Sequence, residues 1–331
     1  MIPFSILDLS PIFEGSTAAQ AFQNTLNLAQ NAEKWGYNRY WMAEHHNMPG
    51  IASAATSVVI GYVAAGTNTI RVGSGGIMLP NHSPLVIAEQ FGTLESLYPG
   101  RIDLGVGRAP GADMDTARAL RRDMETNNTF PHDLMTLLEY FQEEEEQQTL
   151  RAVPGAGLHV PVWILGSSLF GAKLAAKLGL PYSFASHFAP KDLKMALQIY
   201  RNQFEPSEFL SKPYFMMGLG ASVADTKEEA AFHFTSVQRQ FTYIRRGSAG
   251  QIPPPVKSMD SYWTPMERFG VDQALQYAIV GDKEYAKMQL QQIMEDIEPD
   301  EIIITSQIFD HQARLRSYEI LADIRNEWAK P

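Results

Sequence analysis

The chain of 331 residues contains no cysteine, and it also has no long apolar run. The missing cysteine excludes disulfide bonds, thiolate metal ligands and a cysteine nucleophile together. No stretch of about 18 or more consecutive apolar residues occurs, so no transmembrane helix is predicted. The opening residues, MIPFSILDLSPIFEGS, have neither a basic segment nor a small-residue cleavage site. We therefore predict a cytoplasmic protein that does not interact with membranes.

Basic residues are in the minority, with 27 lysines and arginines against 37 acidic residues, which gives a formal charge of −10. No basic stripe that would follow a phosphate backbone is visible, so nucleic acid is not a predicted partner. The hydrophobic content of 45% and the charged content of 19% are typical of a soluble globular enzyme. No linker rich in Ser, Gly or Pro divides the chain, which predicts one domain over residues 1–331.

Short apolar runs alternate with helical segments along the chain. The predicted strands span 4–9, 39–45, 70–79, 101–107, 160–166, 182–186, 214–224 and 300–305. Eight such β–α units in one chain of this length predict a closed (β/α)8 TIM barrel rather than a doubly wound sheet. The segment 245–263 interrupts the alternation near the C-terminal part and is interpreted as an insertion loop. It either covers the barrel mouth or is an ordinary surface excursion.

The stretch RYWMAEHHNMPG, residues 39–50, places Glu44, His45 and His46 just after the second strand. Active sites of such barrels lie at this end of the strands. Neighbouring residues of a strand point to opposite sides, so these three side chains cannot all face one metal ion, and no metal site is predicted. A single histidine of this pair is predicted to face the mouth and exchange protons. The alternative is a histidine that only hydrogen-bonds a neighbouring loop.

Glycines crowd the end of the third strand, in VGSGGIMLP, where Gly73, Gly75 and Gly76 carry no side chains. Glycine within a strand often marks a bulge or a close approach to the backbone. A tight turn alone explains one such glycine. Three of them indicate a flat ligand that packs against the strand.

An anion site is suggested by the ends of the next two strands. Arg108 stands among small residues in GVGRAPG, and its planar guanidinium suits a phosphate group. The fifth strand ends in ILGSSLFGAK, where Ser167 and Ser168 precede a helix whose N-terminus suits an anion. The alternative for these serines is a simple helix cap. Together the strand ends predict a glycine platform, a cation and an anion cradle side by side.

Several of these motifs resemble a known family. YWMAEHH, VGSGGIMLP, SPLVIAEQFGTLESLYPGRIDLGVGRAPG and GSSLFGAKLAAKLGLP are similar to segments of the bacterial luciferase-like flavin monooxygenases, most densely over residues 37–111. The resemblance implies an α/β barrel that uses reduced FMN and dioxygen. It also implies a homodimer whose reduced flavin comes from a separate flavin reductase.

The resemblance assigns roles to individual residues. His45 matches the histidine that transfers protons beside the flavin, and Gly75–Gly76 match a pair joined by a non-prolyl cis peptide. Arg108 and Ser168 match ligands of the FMN phosphate. With their motif neighbours, the implied cofactor-binding residues are Ser74, Gly75, Gly76, Arg108, Ser168 and Leu169.

One position departs from the family pattern. Gly107 stands where the light-emitting members have a cysteine, so light emission is not expected. The sequence thus predicts an FMN-dependent monooxygenase that acts on a small organic substrate such as an aldehyde. A deazaflavin-dependent oxidoreductase is an alternative, although GRAPGADMD offers few basic residues for a larger anionic cofactor. A non-catalytic flavin-binding protein is a second alternative, against which His45 argues.

Two further features complete the sequence prediction. His187, in FASHF after the sixth strand, is either a second pocket residue or a histidine bonded outside the pocket. The helical segments ASAATSVVIGYVAA and LVIAEQFGTLESLY carry small and apolar residues around more of their circumference than one barrel face needs. This excess is consistent with the implied homodimer.

Overall fold

Parallel strands and alternating helices make up the part of the chain that the computed structural model describes, residues 2–108, 114–120, 129–143 and 149–328. Nine strands join in one sheet over these residues. They are β1 (Phe4–Asp8), β2 (Arg39–Met42), β3 (Arg71–Met78), β4 (Ile102–Gly107), β5 (Val162–Gly166), β6 (Tyr182–Phe184), β7 (Phe215–Val223), β8 (Ala278–Gly281) and β9 (Glu301–Thr305).

Eight of these strands close into a ring. β1 to β7 pair in chain order, except that β9 lies between β7 and β1, and every pairing is parallel. The ring confirms the predicted (β/α)8 barrel. β8 stays outside the ring and pairs with the second half of β7, from Gly220 to Val223.

Helices cover the outside of the ring. They are α1 (Ala18–Lys34), α2 (Thr56–Ala65), α3 (Pro84–Leu97), α4 (Met114–Ala119), α5 (Phe130–Glu139), α6 (Leu169–Leu178), α7 (Leu193–Asn202), α8 (Lys227–Arg245), α9 (Pro265–Ala274), α10 (Lys283–Ile297) and α11 (His311–Glu327). Side-chain caps set several of their starts. Thr17 accepts a hydrogen bond from the Gln20 amide before α1, and Thr264 forms a reciprocal capping box with Glu267 before α9. None of the described helices is long and apolar enough to span a bilayer.

The boundaries differ from the sequence prediction in two places. β2 ends at Met42, so Glu44 and the histidines after it lie in a loop rather than in the strand predicted to reach residue 45. The region 265–299, which the sequence left unassigned, contains α9, β8 and α10. The insertion before it runs across the barrel mouth, because Ile252 is buried, bridges to Phe13 and lines the central cavity.

Two apolar layers hold the barrel together. One fills the space between strands and helices, and the other fills the ring itself. Inside the ring, the rings of Trp41 and Trp163 meet edge to face with centroids 5.2 Å apart. The buried residues of this inner layer are Leu7, Trp41, Ala43, Trp163, Met216 and Ile303. This layer closes the barrel below the mouth, as in other barrels of this class.

A network of charged groups lies at the N-terminal ends of the strands. Arg39 binds Asp103 at 2.7 Å and Glu301 at 3.1 Å, and Arg71 binds Asp103 at 2.6 Å. Trp41 donates its indole N–H to Asp103 as well, at 3.1 Å. Both carboxylates are fully buried, and each is matched by a cation. This end of the barrel is therefore sealed by paired charges.

Candidate active site at the barrel mouth

A cavity of about 810 Å³ lies at the C-terminal ends of the strands. This volume is near the upper end of the usual range for small-molecule sites, about 300–1,000 Å³. Its walls are mostly apolar and come from the strand ends, from α8 and from the insertion. Trp41 and Ile303 of the inner layer form part of its lining. The cavity is thus large enough for more than one small molecule.

One end of the cavity carries an arginine and the start of a helix. Arg108, just after β4, lies over the Phe170 ring in the first turn of α6, with its guanidinium carbon 3.9 Å from the ring centroid. Ser168 is the N-cap of α6, yet its hydroxyl makes no capping hydrogen bond. No carboxylate among the described residues pairs with Arg108. Residues 109–113 of the GVGRAPG motif and its continuation lie outside the described residues.

The glycine pair of β3 lines the cavity beside this end. The Gly75–Gly76 peptide bond is cis, which confirms that prediction. A Cβ on Gly75 would lie 2.7 Å from the Leu7 side chain, and one on Gly76 would lie 2.7 Å from the Gly105 carbonyl oxygen. Close packing of the strands therefore already requires these glycines. Gly73 is required as well, since a Cβ there would lie 2.4 Å from the Asp103 carbonyl oxygen. Packing alone thus accounts for all three glycines, and a flat ligand at this strand stays a prediction.

Gly107 differs from these glycines. It lines the cavity, and among the described residues a Cβ at this position would meet only the Leu165 carbonyl oxygen, at 3.9 Å. A cysteine would therefore fit where the light-emitting relatives carry one.

Two of the implied cofactor residues lie in the protein wall. The Ser74 hydroxyl is buried and binds the backbone of Gly105, donating to its carbonyl at 2.8 Å and accepting from its amide at 3.0 Å. Leu169 packs against the outer apolar layer. Neither residue lines the cavity, whereas Gly75, Gly76, Arg108 and Ser168 do.

His45 lines the cavity, and its Nδ1 atom is buried without a hydrogen-bond partner in the described part of the chain. Burial lowers the pKa of His45, and the nearby His46 adds to this, while the Glu44 carboxylate opposes it. The net pKa lies below the usual 6.5, so the imidazole is neutral at physiological pH. A neutral ring at the mouth is able to accept or donate a proton.

Glu44 holds the loop around His45 in place. Its carboxylate accepts hydrogen bonds from His46 at 2.8 Å, from His82 at 2.9 Å and from the Met78 amide at 3.0 Å. Burial raises the pKa of Glu44, but the bond from His82 and the other bonds outweigh it and lower the pKa below its usual value. The carboxylate is therefore charged and anchors residues from two loops.

The same cluster could also hold a cation, because one ligand atom each of Glu44, His46 and His82 lie within 4.8 Å of one another. The strand alternation used in the sequence prediction set His45 opposite Glu44 and His46, and His82 was not considered. The three groups already satisfy each other by hydrogen bonding. The absence of a metal site stays a prediction.

Further polar residues reach the cavity, among them Ser183, Thr305, Gln307 and the two described next. His187 lines it, and burial together with nearby His45 lowers its pKa to about 4. Gln240 of α8 lines it too and is 4% exposed. The sequence raised His187 only as an alternative and missed Gln240. The signal for Gln240 was present, because it interrupts an apolar helical face that includes Val237 and Phe241.

Comparison with known proteins identifies the family. The profile of a family described as luciferase-like monooxygenase matches residues 2–303. A protein of Escherichia coli (strain K12) named luciferase-like monooxygenase is 57% identical over 327 residues, which cover 98% of both chains. The N-acetyl-S-alkylcysteine monooxygenase of Bacillus subtilis (strain 168) is 34% identical, again over 98% of both chains.

Solved structures share the fold over almost the whole chain. The structure of apo-MsnO8 has a TM-score of 0.87 at 30% identity and covers 98% of this chain and 99% of its own. A type II Baeyer-Villiger monooxygenase from Pseudomonas putida in complex with FMN has a TM-score of 0.72 at 17% identity, covering 97% and 96%. An F420-dependent secondary alcohol dehydrogenase has a TM-score of 0.70 at 14% identity, covering 96% and 97%. The last two likenesses show the fold alone.

The barrel, the large cavity at its mouth and the family match over most of the chain agree with the resemblance seen in the sequence motifs. The neighbours of this fold include enzymes that use FMN and enzymes that use F420. The chain belongs to the luciferase-like monooxygenase family of enzymes.

Proposed function

We propose that the protein is an FMN-dependent monooxygenase that uses reduced FMN and dioxygen to oxidise a small organic substrate. The observation that carries this proposal is the layout of one cavity. Arg108 and the start of α6 lie at the end of the cavity that would bind a phosphate. The Gly75–Gly76 pair and His45 line the same cavity. The cavity would thereby offer a site for a phosphate, a surface for a flat ring and a histidine that exchanges protons.

The residues present fit FMN in charge and in shape. Arg108 would bind the phosphate by a charge-assisted hydrogen bond, and the Ser168 hydroxyl, which does not cap its own helix, would add a second one. The isoalloxazine would pack on the bare backbone of Gly75 and Gly76. Leu165 and Met78, which also line the cavity, would contribute apolar contacts.

The division of chemical work follows from what protein side chains lack. Reduced flavin, when bound, supplies the electrons that activate dioxygen, which no side chain does. His45 would hold or move a proton beside the reacting groups. The apolar walls and Ile252 of the insertion would keep water away from the reaction.

Two other functions remain as alternatives. A deazaflavin-dependent oxidoreductase would pass hydride without dioxygen, and the F420-dependent neighbour shares this fold. Within the described residues, Arg108 is the only arginine or lysine that lines the cavity, which suits a small anionic tail better than a large one. A flavin-storing protein would need no neutral histidine at the mouth, and His45 argues against it.

The test is to supply reduced FMN and isotopically labelled dioxygen together with a panel of candidate substrates, aldehydes among them. The proposal predicts one labelled oxygen atom in an organic product, and only when the protein is present. Hydride transfer from a reduced deazaflavin without oxygen incorporation would indicate the first alternative. Flavin binding that no substrate of the panel changes would indicate storage.

The assembly is proposed to be a homodimer formed through α2 and α3. These neighbouring helices expose Val58 at 71% and Leu97 at 64%, with Tyr62 and Val86 also exposed. A second copy that covers this apolar face would remove it from water. Sedimentation at micromolar concentration should give twice the chain mass, and a single-chain mass would contradict the dimer. We also propose a cytoplasmic location and a separate flavin reductase as the source of reduced FMN.

A further inference from the structure

Gln240 is a polar residue of the cavity wall that the proposed cofactor contacts do not use. Its side-chain amide donates a long hydrogen bond, 3.3 Å, to the Gly250 carbonyl. Its Oε1 atom is buried and has no partner within the described residues, and a small turn of the amide would bring it to the cavity that Gln240 lines. An amide oxygen only accepts hydrogen bonds, so this atom is suited to an O–H or N–H group.

Gln240 lies among apolar residues on the face of α8 that lines the cavity. The residues of α8 that line the cavity are Phe234, Val237, Gln240, Phe241 and Ile244. Four of the five are apolar, and Gln240 alone interrupts the face. A buried polar atom without a partner costs free energy, so an apolar residue would be expected here unless a ligand meets the amide.

His187 is a second polar group on the cavity wall without a partner. Its Nδ1 atom is buried and unpaired within the described chain. The ring fits only because Gly218 is bare, since a Cβ there would lie 2.5 Å from that nitrogen. Burial keeps the ring neutral, and a neutral imidazole has one donor and one acceptor nitrogen.

Charged side chains do not accompany these two groups. Among the described residues that line the cavity, only Glu44 and Arg108 carry charge. The Glu44 carboxylate already accepts hydrogen bonds from His46 and His82, and Arg108 lies at the end that would bind the phosphate. A charged substrate near Gln240 would therefore be buried without a counter-charge, which is strongly unfavourable.

We propose that Gln240 and His187 select an uncharged substrate that carries an O–H or N–H donor on an apolar body, the class of alcohols and amides. This inference rests on the proposed function, because it takes the end of the cavity around Arg108 to be filled by the cofactor. A simple aldehyde offers only an acceptor oxygen. His187 is able to meet that oxygen, but Gln240 is not.

The test compares eight-carbon probes that differ only in the head group: octanamide, 1-octanol, octanal and octanoate. Each is titrated into the full-length protein by calorimetry, with and without FMN. One neutral hydrogen bond is expected to make octanamide and 1-octanol bind about tenfold tighter than octanal. With FMN bound, octanoate should bind most weakly, whereas without FMN its carboxylate is free to bind Arg108. Octanoate binding as tightly as octanamide in the presence of FMN would overturn the proposal.

Variants assign the preference to the two side chains. Gln240→Met keeps the length of the side chain and should bring the octanamide-to-octanal ratio down to about one, with octanal itself unchanged. Gln238→Met on the same helix is the matched control, because Gln238 does not line this cavity. His187→Phe should weaken octanal as well as octanamide. An unchanged ratio in Gln240→Met would overturn the role of the amide.

A second substitution covers the case in which Gln240→Met does not fold. Gln240→Glu keeps an acceptor and adds a negative charge, so it should favour octylamine over octanamide. No change of preference in this variant would also contradict the proposal. FMN binding is measured separately: its loss with the probe ranking intact would count against the proposed function alone. FMN binding without any probe ranking would count against this inference alone.

Discussion

The two ends of the barrel treat polar groups in opposite ways. At the N-terminal ends of the strands, the buried carboxylates of Asp103 and Glu301 each bind arginine, and Arg39 joins them. At the C-terminal ends, residues that line the cavity hold buried neutral polar atoms that have no partner among the described residues, such as Nδ1 of His45 and Oε1 of Gln240. One end is saturated with ion pairs, and the other has hydrogen-bonding capacity to spare.

This difference separates stability from function within one ring of strands. Paired buried charges are hard to replace singly, because loss of one partner leaves the other uncompensated. Unpaired neutral groups cost stability and are retained where a ligand satisfies them. Changes at the closed end should therefore affect folding, and changes at the open end should affect binding and turnover.

The largest expected effect lies at the open end. Replacing His45 with alanine should lower turnover by about a hundred- to ten-thousandfold, the usual range for removal of a general acid or base. FMN binding should change little, since the phosphate contacts lie elsewhere. Turnover at saturating reduced FMN, measured once a substrate is known, gives the result.

His46→Ala is the matched control for that change. The His46 side chain binds Glu44, so its loss should lower stability and affect catalysis much less. Equal losses of turnover in the two variants would mean that His45 supports the loop and has no special part in the chemistry.

At the closed end, Asp103→Ala should lower the free energy of unfolding by about 3 kcal/mol, because Arg39 and Arg71 lose a shared buried partner. The affinity of the folded variant for FMN should not change. Chemical denaturation measures the loss. Asp272→Ala, which breaks an exposed pair with Arg268, should cost less than about 1 kcal/mol. Similar losses in both variants would remove the distinction between the two ends.

Arg108→Ala should weaken FMN binding by about ten- to over a hundredfold, the equivalent of one charge-assisted hydrogen bond of about 1.5–3 kcal/mol. Lys173→Ala removes a charge of the same sign from the exposed side of α6 and should leave the affinity unchanged. The free energy of unfolding should be nearly the same in both variants. An unchanged FMN affinity in Arg108→Ala would refute the assignment of Arg108 to the phosphate.

A smaller effect should appear in the pH dependence of stability. The pKa of His187 is about 4 in the folded chain and close to 6.5 when the chain unfolds. Between these values the unfolded chain binds a proton that the folded chain does not, so stability should fall as the pH is lowered from about 6.5 to 4. His311, with a pKa of about 4, contributes in the same direction.

Removing His187 should weaken this dependence. The free energy of unfolding of His187→Phe should therefore change less between pH 7 and pH 5 than that of the parent protein. His159→Gln, at an exposed position, is the control. An identical slope in the parent and in His187→Phe would show that the buried ring does not set the pH dependence.

The ring of strands could be predicted because each apolar run and its flanking turn are local signals. Contacts between distant loops have no such signal. His82 meets Glu44 although the two residues are 38 positions apart, and neither surrounding segment hints at the other. β8 is only four residues long, so its apolar run is too short to give a clear local signal before it pairs with β7.

The structure places some of the predicted site residues at the cavity and others away from it, and their roles stay predictions. Arg108 and Ser168 were found from charge and helix-start chemistry, and both line the cavity. Ser74 and Leu169 came from motif adjacency alone, and their side chains turn into the wall. Adjacency in sequence does not reveal on which side of a strand or helix a residue lies.

The most direct test of the account is a comparison of FMN with riboflavin, which has the same ring system without the phosphate. The two flavins are titrated into the same protein preparation, and the quenching of flavin fluorescence is followed. If Arg108 and the start of α6 hold the phosphate, FMN should bind at least about tenfold tighter than riboflavin. Equal affinities for the two flavins, or no binding of either, would contradict the account.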